Sequence, residues 1–282
     1  MPTRLTILVE NTVPGKSDGL CAEHGFAVFI ERPDLRLLFD TGPQGVALLN
    51  NAPRLGVDLQ RTDAIVLSHG HGDHTGGLAA VLAVLGKAVP VFGHPDIFLQ
   101  RYGKRRGGEI RYAGLPFAQA ALEGNGARFD LSAAFRAIAP GVHLTGEVPR
   151  RHTFETGDAR LFIRTDGQER PDPFSDDQSL VLDTQDGLVL VLGCCHAGLI
   201  NTIDHVRTQL SDRPLHTVIG GTHLGFAPEH QLEQTIAALR ALGIRQLGLS
   251  HCTGLEAGAR LAAEFGKRVI FCNVGSSLVF ND

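Results

Sequence analysis

The chain has no tryptophan and only two tyrosines among its 282 residues. It has no apolar run approaching the roughly 18 to 20 residues of a membrane span, which excludes a helical membrane protein. It also lacks a charge excess. Lys and Arg number 26 against 30 Asp and Glu, a net charge of −4. Nothing in that balance favours nucleic acid or an anionic membrane as partner. The five cysteines, Cys21, Cys194, Cys195, Cys252 and Cys272, are odd in number and show no disulfide-like spacing. A reducing cytoplasm is the expected location. The opening stretch MPTRLTILVEN has no apolar segment followed by a small-residue cleavage site and reads as a strand. Against these absences stand 13 histidines, while the 43% hydrophobic and 20% charged content is ordinary for a globular chain.

Short apolar, β-rich runs recur along the chain: 5–11, 26–31, 35–42, 64–68, 89–93, 160–165, 179–184, 188–193, 216–221 and 246–250. Several are almost continuously apolar, as strands covered on both faces are. Helical patterns fall near 45–56, 77–86, 198–210, 228–242 and 255–265, and the strand pair RVIF and SLVF closes the chain. Strand alternating with helix predicts an α/β fold with chemistry at the carboxyl ends of the strands. Residues 95 to about 150 break the pattern, with a basic, glycine-rich stretch at 101–114. They are expected to form an insertion or cap over the site, within one domain spanning 1–282.

The histidines collect where strands end. SHGHGDHTGG at 68–77 places His69, His71, Asp73 and His74 within six positions. Gly70 and Gly72 free the backbone to turn these side chains toward one point. Imidazole and carboxylate at that spacing suit zinc, with iron or manganese as alternatives. A catalytic zinc takes about three protein ligands, so one loop cannot complete two centres. Further donors are expected from GCCHAG at 193–198, with Cys194, Cys195 and His196, and from SHCTG at 250–254, with His251 and Cys252.

The run H-x-H-x-D-H after a strand, preceded by Asp40 in "FDTG", resembles the signature of the metallo-β-lactamase superfamily. The resemblance spans almost the whole chain. It implies a four-layer αβ/βα sandwich of two mixed sheets flanked by helices, with two metal ions at one edge. It further implies that His69 and His71 bind the first metal, and that Asp73, His74 and His251 bind the second. The middle motifs depart from the commonest pattern: "PFSDDQSL" and "LGCCHAG" stand where a histidine and a bridging aspartate are usual. His196 is the preferred middle ligand, with Cys194 and Asp177 as alternatives. "LVENTV", "AEHGFAVFIE", "DDQSLVL", "GCCHAG" and "IGGTHL" are similar to a subgroup of metal-dependent hydrolases that resemble 7,8-dihydropterin-6-yl-methyl-4-(β-D-ribofuranosyl)aminobenzene 5′-phosphate synthase.

Asp40 is expected behind a ligand histidine, because such histidines give their second N–H to a carboxylate. His223 in "GGTHL" is a candidate general acid or substrate donor, and Asp73 has a catalytic as well as a metal-holding part. Glu23 and His24 are candidates for the pocket. The basic run Arg101, Lys104, Arg105, Arg106 and Arg111, together with Arg150 and Arg151, is a candidate grip for a phosphate-bearing substrate. The expected activity is hydrolysis of a small ester, lactone or phosphoester by metal-activated water. A pterin-related condensing transferase and a non-catalytic metal sensor are the alternatives. A small molecule is the expected partner, with no nucleic acid or membrane and with a homodimer left open.

Overall fold

The computed structural model describes residues 2–17, 19–105 and 107–282. Among these, two seven-stranded sheets dominate. The first runs, in spatial order, through Ser277–Phe280, Thr3–Val9, Ala27–Glu31, Arg36–Phe39, Ala64–Val66, Val89–Gly93 and Ala127–Leu131. The second runs through Val269–Phe271, Gln246–Leu249, Leu215–Gly220, Gly187–Leu192, Leu180–Thr184, Val142–Leu144 and Arg136–Ala139. Both are mixed, with antiparallel pairs at one side and parallel pairs at the other.

Side chains alternate along each strand, so a strand buried on both faces feeds two different cores. Ile7, Val28 and Ile30 pack between the sheets against Leu182, Val189 and Val191. Their neighbours Leu8 and Phe29 face outward onto Leu48, Leu78 and Leu82 of the helices Val46–Arg54 and Leu78–Leu85. On the other side, Leu188, Leu190 and Leu192 meet Ile203, Ile236 and Leu261 of the helices Leu199–Gln209, Glu229–Leu242 and Leu255–Phe265. The layers are therefore helix, sheet, sheet, helix: the four-layer sandwich.

Parallel strands within each sheet bring their carboxyl ends to one edge, and the histidine-bearing turns follow those ends. The strand Ala64–Val66 leads into 68–77, Gly187–Leu192 into 193–198, Leu215–Gly220 into 221–224 and Gln246–Leu249 into 250–254.

The stretch 95–150 differs from the expected cap. Ala127–Leu131 extends the first sheet, and Arg136–Ala139 with Val142–Leu144 extends the second. Of this stretch, described residues from Gly103 to Pro116 line the cleft over the site. There the hairpin Arg101–Lys104 and Ile110–Tyr112 pairs with Leu161–Thr165, which pairs with Gln168–Pro171, in a separate four-stranded sheet. The pairing joins segments some fifty residues apart, and of the two only 160–165 reads as a strand in the sequence.

Candidate metal centre

Asp40 organises the first turn. It is wholly buried, and its backbone sits at φ 59°, a left-handed conformation uncommon outside glycine. Its carboxylate accepts the Ser68 N–H and hydroxyl, both at 2.7 Å, and lies 2.7 Å from His74 Nδ1. Ser68 Oγ in turn lies 2.8 Å from His69 Nδ1. Two imidazoles are thus held by their outer nitrogens, which leaves their Nε2 atoms facing inward. His69 Nε2 lies 3.0 Å from His71 Nδ1. His74 Nε2 lies 3.1 Å from Cys194 Sγ and 3.2 Å from His251 Nε2.

The donors form two overlapping groups. His69, Cys194 and His196 place ligand atoms within 4.8 Å of one another, and so do His74, Cys194 and His251. Cys194 belongs to both. The His71 ring is 4.9 Å from that of His196, beside the first group. Asp73 lies beside the second, with Oδ2 3.4 Å from His251 Nε2 and 3.6 Å from His24 Nε2. His251, at φ 50°, is anchored by Asn11 Oδ1 at 2.9 Å from Nδ1 and by Glu10 Oε1, which accepts its N–H at 2.7 Å. A further group joins Cys194 to His223 and Cys252.

Buried nitrogen atoms without partners mark the same place: both nitrogens of His196 have none among the described residues. Unpaired buried polar atoms are costly, and a borderline cation answers that cost. The protonation states of three of the rings agree, whereas burial opposes charge on His74 but Asp73 and Asp40 carry its pKa up to about 9. Burial, followed by neighbouring imidazoles, pushes His69 and His196 well below the usual histidine range. Burial likewise takes His71 down to about 3. These rings are neutral at pH 7, which is the ligand form. Burial opposes ionisation of Asp73, but His74 and His251 hold its carboxyl well below the ordinary range. The residues therefore fit a metal site.

The remaining candidates divide. His24 and Arg105 line the cleft over the cluster, a space of ≈ 710 Å³ walled on one side by Lys104, Arg111 and Tyr112 and closed by Arg160 and Phe226. Asp177 stands outside both donor groups; its Oδ2 accepts the Ala197 N–H at 3.0 Å and so supports the turn that carries His196. Glu23 is not a pocket residue, because its carboxylate accepts the Ala47 N–H at 3.2 Å at the start of the helix Val46–Arg54. Arg150 does not face the cleft as a phosphate grip. It donates to the His196 carbonyl at 2.8 Å. Arg151 lines a different cleft with Arg207 and Arg213. Arg101 is wholly buried and ion-paired to Asp172 and Asp176, so it cannot grip a substrate either. Arg106 lies outside the described residues.

His223 sits at φ 54° with its ring 4.3 Å from that of His196 and 4.9 Å from that of Phe226. Its Nε2 lies 3.3 Å from Asp158 Oδ2, while Nδ1 is buried without a partner. Burial opposes its charge, but the Asp158 hydrogen bond carries its pKa up to about 9. Asp158, Asn11, Glu10 and Ser68 were not apparent from the sequence. Only Ser68, directly before the histidine run, carried a local signal.

A four-layer sandwich with imidazole, thiol and carboxylate donors gathered at one strand-end edge defines a metal-site protein of the metallo-β-lactamase type. The profile of the Metallo-beta-lactamase superfamily matches residues 22–194, more than half of the chain, and the chain belongs to that superfamily of metal-dependent hydrolases and related enzymes. It is 30% identical over 260 residues to the 7,8-dihydropterin-6-methyl-4-(beta-D-ribofuranosyl)-aminobenzene-5'-phosphate synthase of Methanocaldococcus jannaschii, covering 89% of this chain and 88% of that protein. An uncharacterised protein of the same organism is 30% identical over 261 residues, covering 92% and 93% of the two chains. A solved metal-dependent hydrolase of the beta-lactamase superfamily superposes with a TM-score of 0.82 at 28% identity, covering 99% of this chain and 100% of that one. No helix among the described residues is long and apolar enough to cross a membrane.

Proposed function

We propose that this protein is a dinuclear, zinc-type hydrolase of a small anionic ester, lactone or phosphoester. The observation that carries the reading is the position of Cys194, whose Sγ is shared by the two donor groups. His69, His71 and His196 would hold one ion, and Asp73, His74 and His251 the other, with Cys194 between them. Such a pair lowers the pKa of water toward neutrality and polarises a carbonyl or phosphoryl oxygen.

The chain's own residues do the rest. Asp40, Ser68 and Asn11 fix the imidazoles His74, His69 and His251 through their outer nitrogens. His223, oriented by Asp158, would hold a proton for a leaving group on Nδ1, which has no partner among the described residues. Arg105 on the cleft wall, with Lys104 and Arg111 beside it in ion pairs with Glu169 and Glu109, favours a substrate carrying an anionic group. The unpaired state of all five cysteines suits a reducing cytoplasm.

A second reading is favoured by the named archaeal relative: condensation of a dihydropterin diphosphate with an aminobenzene riboside phosphate, releasing diphosphate. The cationic wall suits either substrate. Metal analysis of the purified protein, with parallel assays of ester, lactone and phosphodiester cleavage and of diphosphate release, decides between them. Metal-dependent cleavage without diphosphate release supports the hydrolase. Diphosphate release only in the presence of both pterin substrates replaces it with the transferase. Bound metal with every substrate inert leaves a sensor.

A further inference from the structure

One segment of the four-stranded sheet reaches past the cleft wall into the metal turn. Arg101, first residue of its strand, is wholly buried and donates from Nε to Asp172 Oδ2 at 3.0 Å and from Nη1 to the Asp96 carbonyl at 2.9 Å. Its Nη2 is ion-paired to Asp176 Oδ1 at 2.6 Å. Asp176 Oδ2 accepts the N–H of Gly70, between the two histidines of the H-x-H run, at 2.7 Å. Asp172 Oδ2 faces His71 Nε2 at 3.9 Å, the nitrogen that otherwise has no partner. On its inner edge, His71 turns Nδ1 toward His69 Nε2. The packing leaves this arrangement no slack: a Cβ at Gly70 would meet the Ile97 carbonyl oxygen at 2.3 Å and Arg101 Nη1 at 2.6 Å.

We propose that Asp172, held in place by Arg101, is the positioning residue for His71. Its charge, 3.9 Å from Nε2, favours the proton on that nitrogen and so keeps Nδ1 unprotonated toward the cation. Neutral imidazole carries one N–H, and which nitrogen bears it is set by the partner of the other. Among the ligand histidines, His69, His74 and His251 have outer-nitrogen partners of their own in Ser68, Asp40 and Asn11. Asp172 supplies the corresponding partner for His71 from just beyond the last strand of the separate sheet. A buried Asp172 facing only an imidazole would be an uncompensated charge, and Arg101 removes that cost. Asp176 has a different part: it braces the backbone at Gly70 and touches no imidazole.

This inference rests on the metal-centre reading, and its test is built to fail separately. In metal-free protein, 15N spectra of the histidine side chains report which ring nitrogen of His71 is protonated. The expected wild type is Nε2–H, with Asp172→Asn shifting the population toward Nδ1–H and Asp176→Asn leaving it unchanged. In zinc-loaded protein, Asp172→Asn should speed release of one ion to a chelator about 10- to 100-fold. Within a His71→Ala background it should add nothing, since the two act as one unit. Arg101→Lys, which keeps the charge and loses the fork, should give the same changes at smaller size and substitutes for Asp172→Asn if that variant does not fold. A wild-type His71 protonated at Nδ1, or effects of Asp172→Asn and His71→Ala that add, would overturn the proposal. A wild type that binds no metal would sink the functional reading, and the tautomer measurement would still decide this one.

Discussion

Asp40 Oδ2 lies 2.7 Å from His74 Nδ1 across 34 positions of sequence, and the same oxygen accepts the Ser68 hydroxyl. One carboxylate therefore sets the orientation of a candidate ligand and the path of the backbone entering the histidine run. Replacing Asp40 with Asn keeps the shape and removes the charge. Metal affinity at the His74 position should fall about 10- to 100-fold, measured by competition with a chromogenic chelator. Stability should fall by about 1.5–3 kcal/mol, the usual worth of a hydrogen bond to a charged group, measured by urea unfolding.

Cys194 and its neighbours separate the two positions. Removing His196 should deplete one ion, removing His251 the other, and Cys194→Ala should weaken both. Elemental analysis of the three variants after dialysis reads this directly. Loss of a single ion in Cys194→Ala would refute the shared thiolate.

The His223–Asp158 pair should matter for turnover rather than for metal. Asp158→Asn is expected to lower kcat by about 10²- to 10⁴-fold, the range of a general acid, with metal content unchanged. The limb of the pH–rate profile that falls as pH rises should move or vanish. A variant that loses metal together with rate would instead make Asp158 structural.

Burial raises the Asp177 carboxyl to about 6 from its ordinary value near 3.8. A folded-state pKa above the unfolded one means that the folded form binds more protons between those values. The stability associated with that proton is complete below pH ~3.8 and is lost as pH rises through about 6. Over a gap of roughly two units the change is on the order of 3 kcal/mol. Thermal melts of the metal-free protein from pH 4 to 7 should show wild type losing ground to Asp177→Asn as pH rises. Parallel curves would show that the carboxyl is already ionised at the low end.

Much of the fold was legible because its strands are apolar on both faces and its helices end at glycine, as at Gly86 and Gly243. The candidate donors His69, His71, Asp73 and His74 stood out in the sequence because ligand-type residues and glycine alternate there. What escaped was long-range. Nothing near Asp158 in sequence points to His223, 65 positions away. The run Arg101 to Arg111 reads as a basic surface, yet its first member is wholly buried. Glu23 and Arg150 carry the right chemistry for a pocket, but each is engaged by a backbone group. The choice between His196 and Cys194 dissolves in three dimensions, since both stand among the donors.

The donors come from both halves of the sandwich: His69 to His74 follow a strand of the first sheet, while Cys194, His196 and His251 follow strands of the second. Ions held there would rivet the two halves together at their open end. Stripping them should loosen the seam before it unravels either half, so amide exchange would quicken first along that rim. Neither half alone could be expected to keep its grip on a cation.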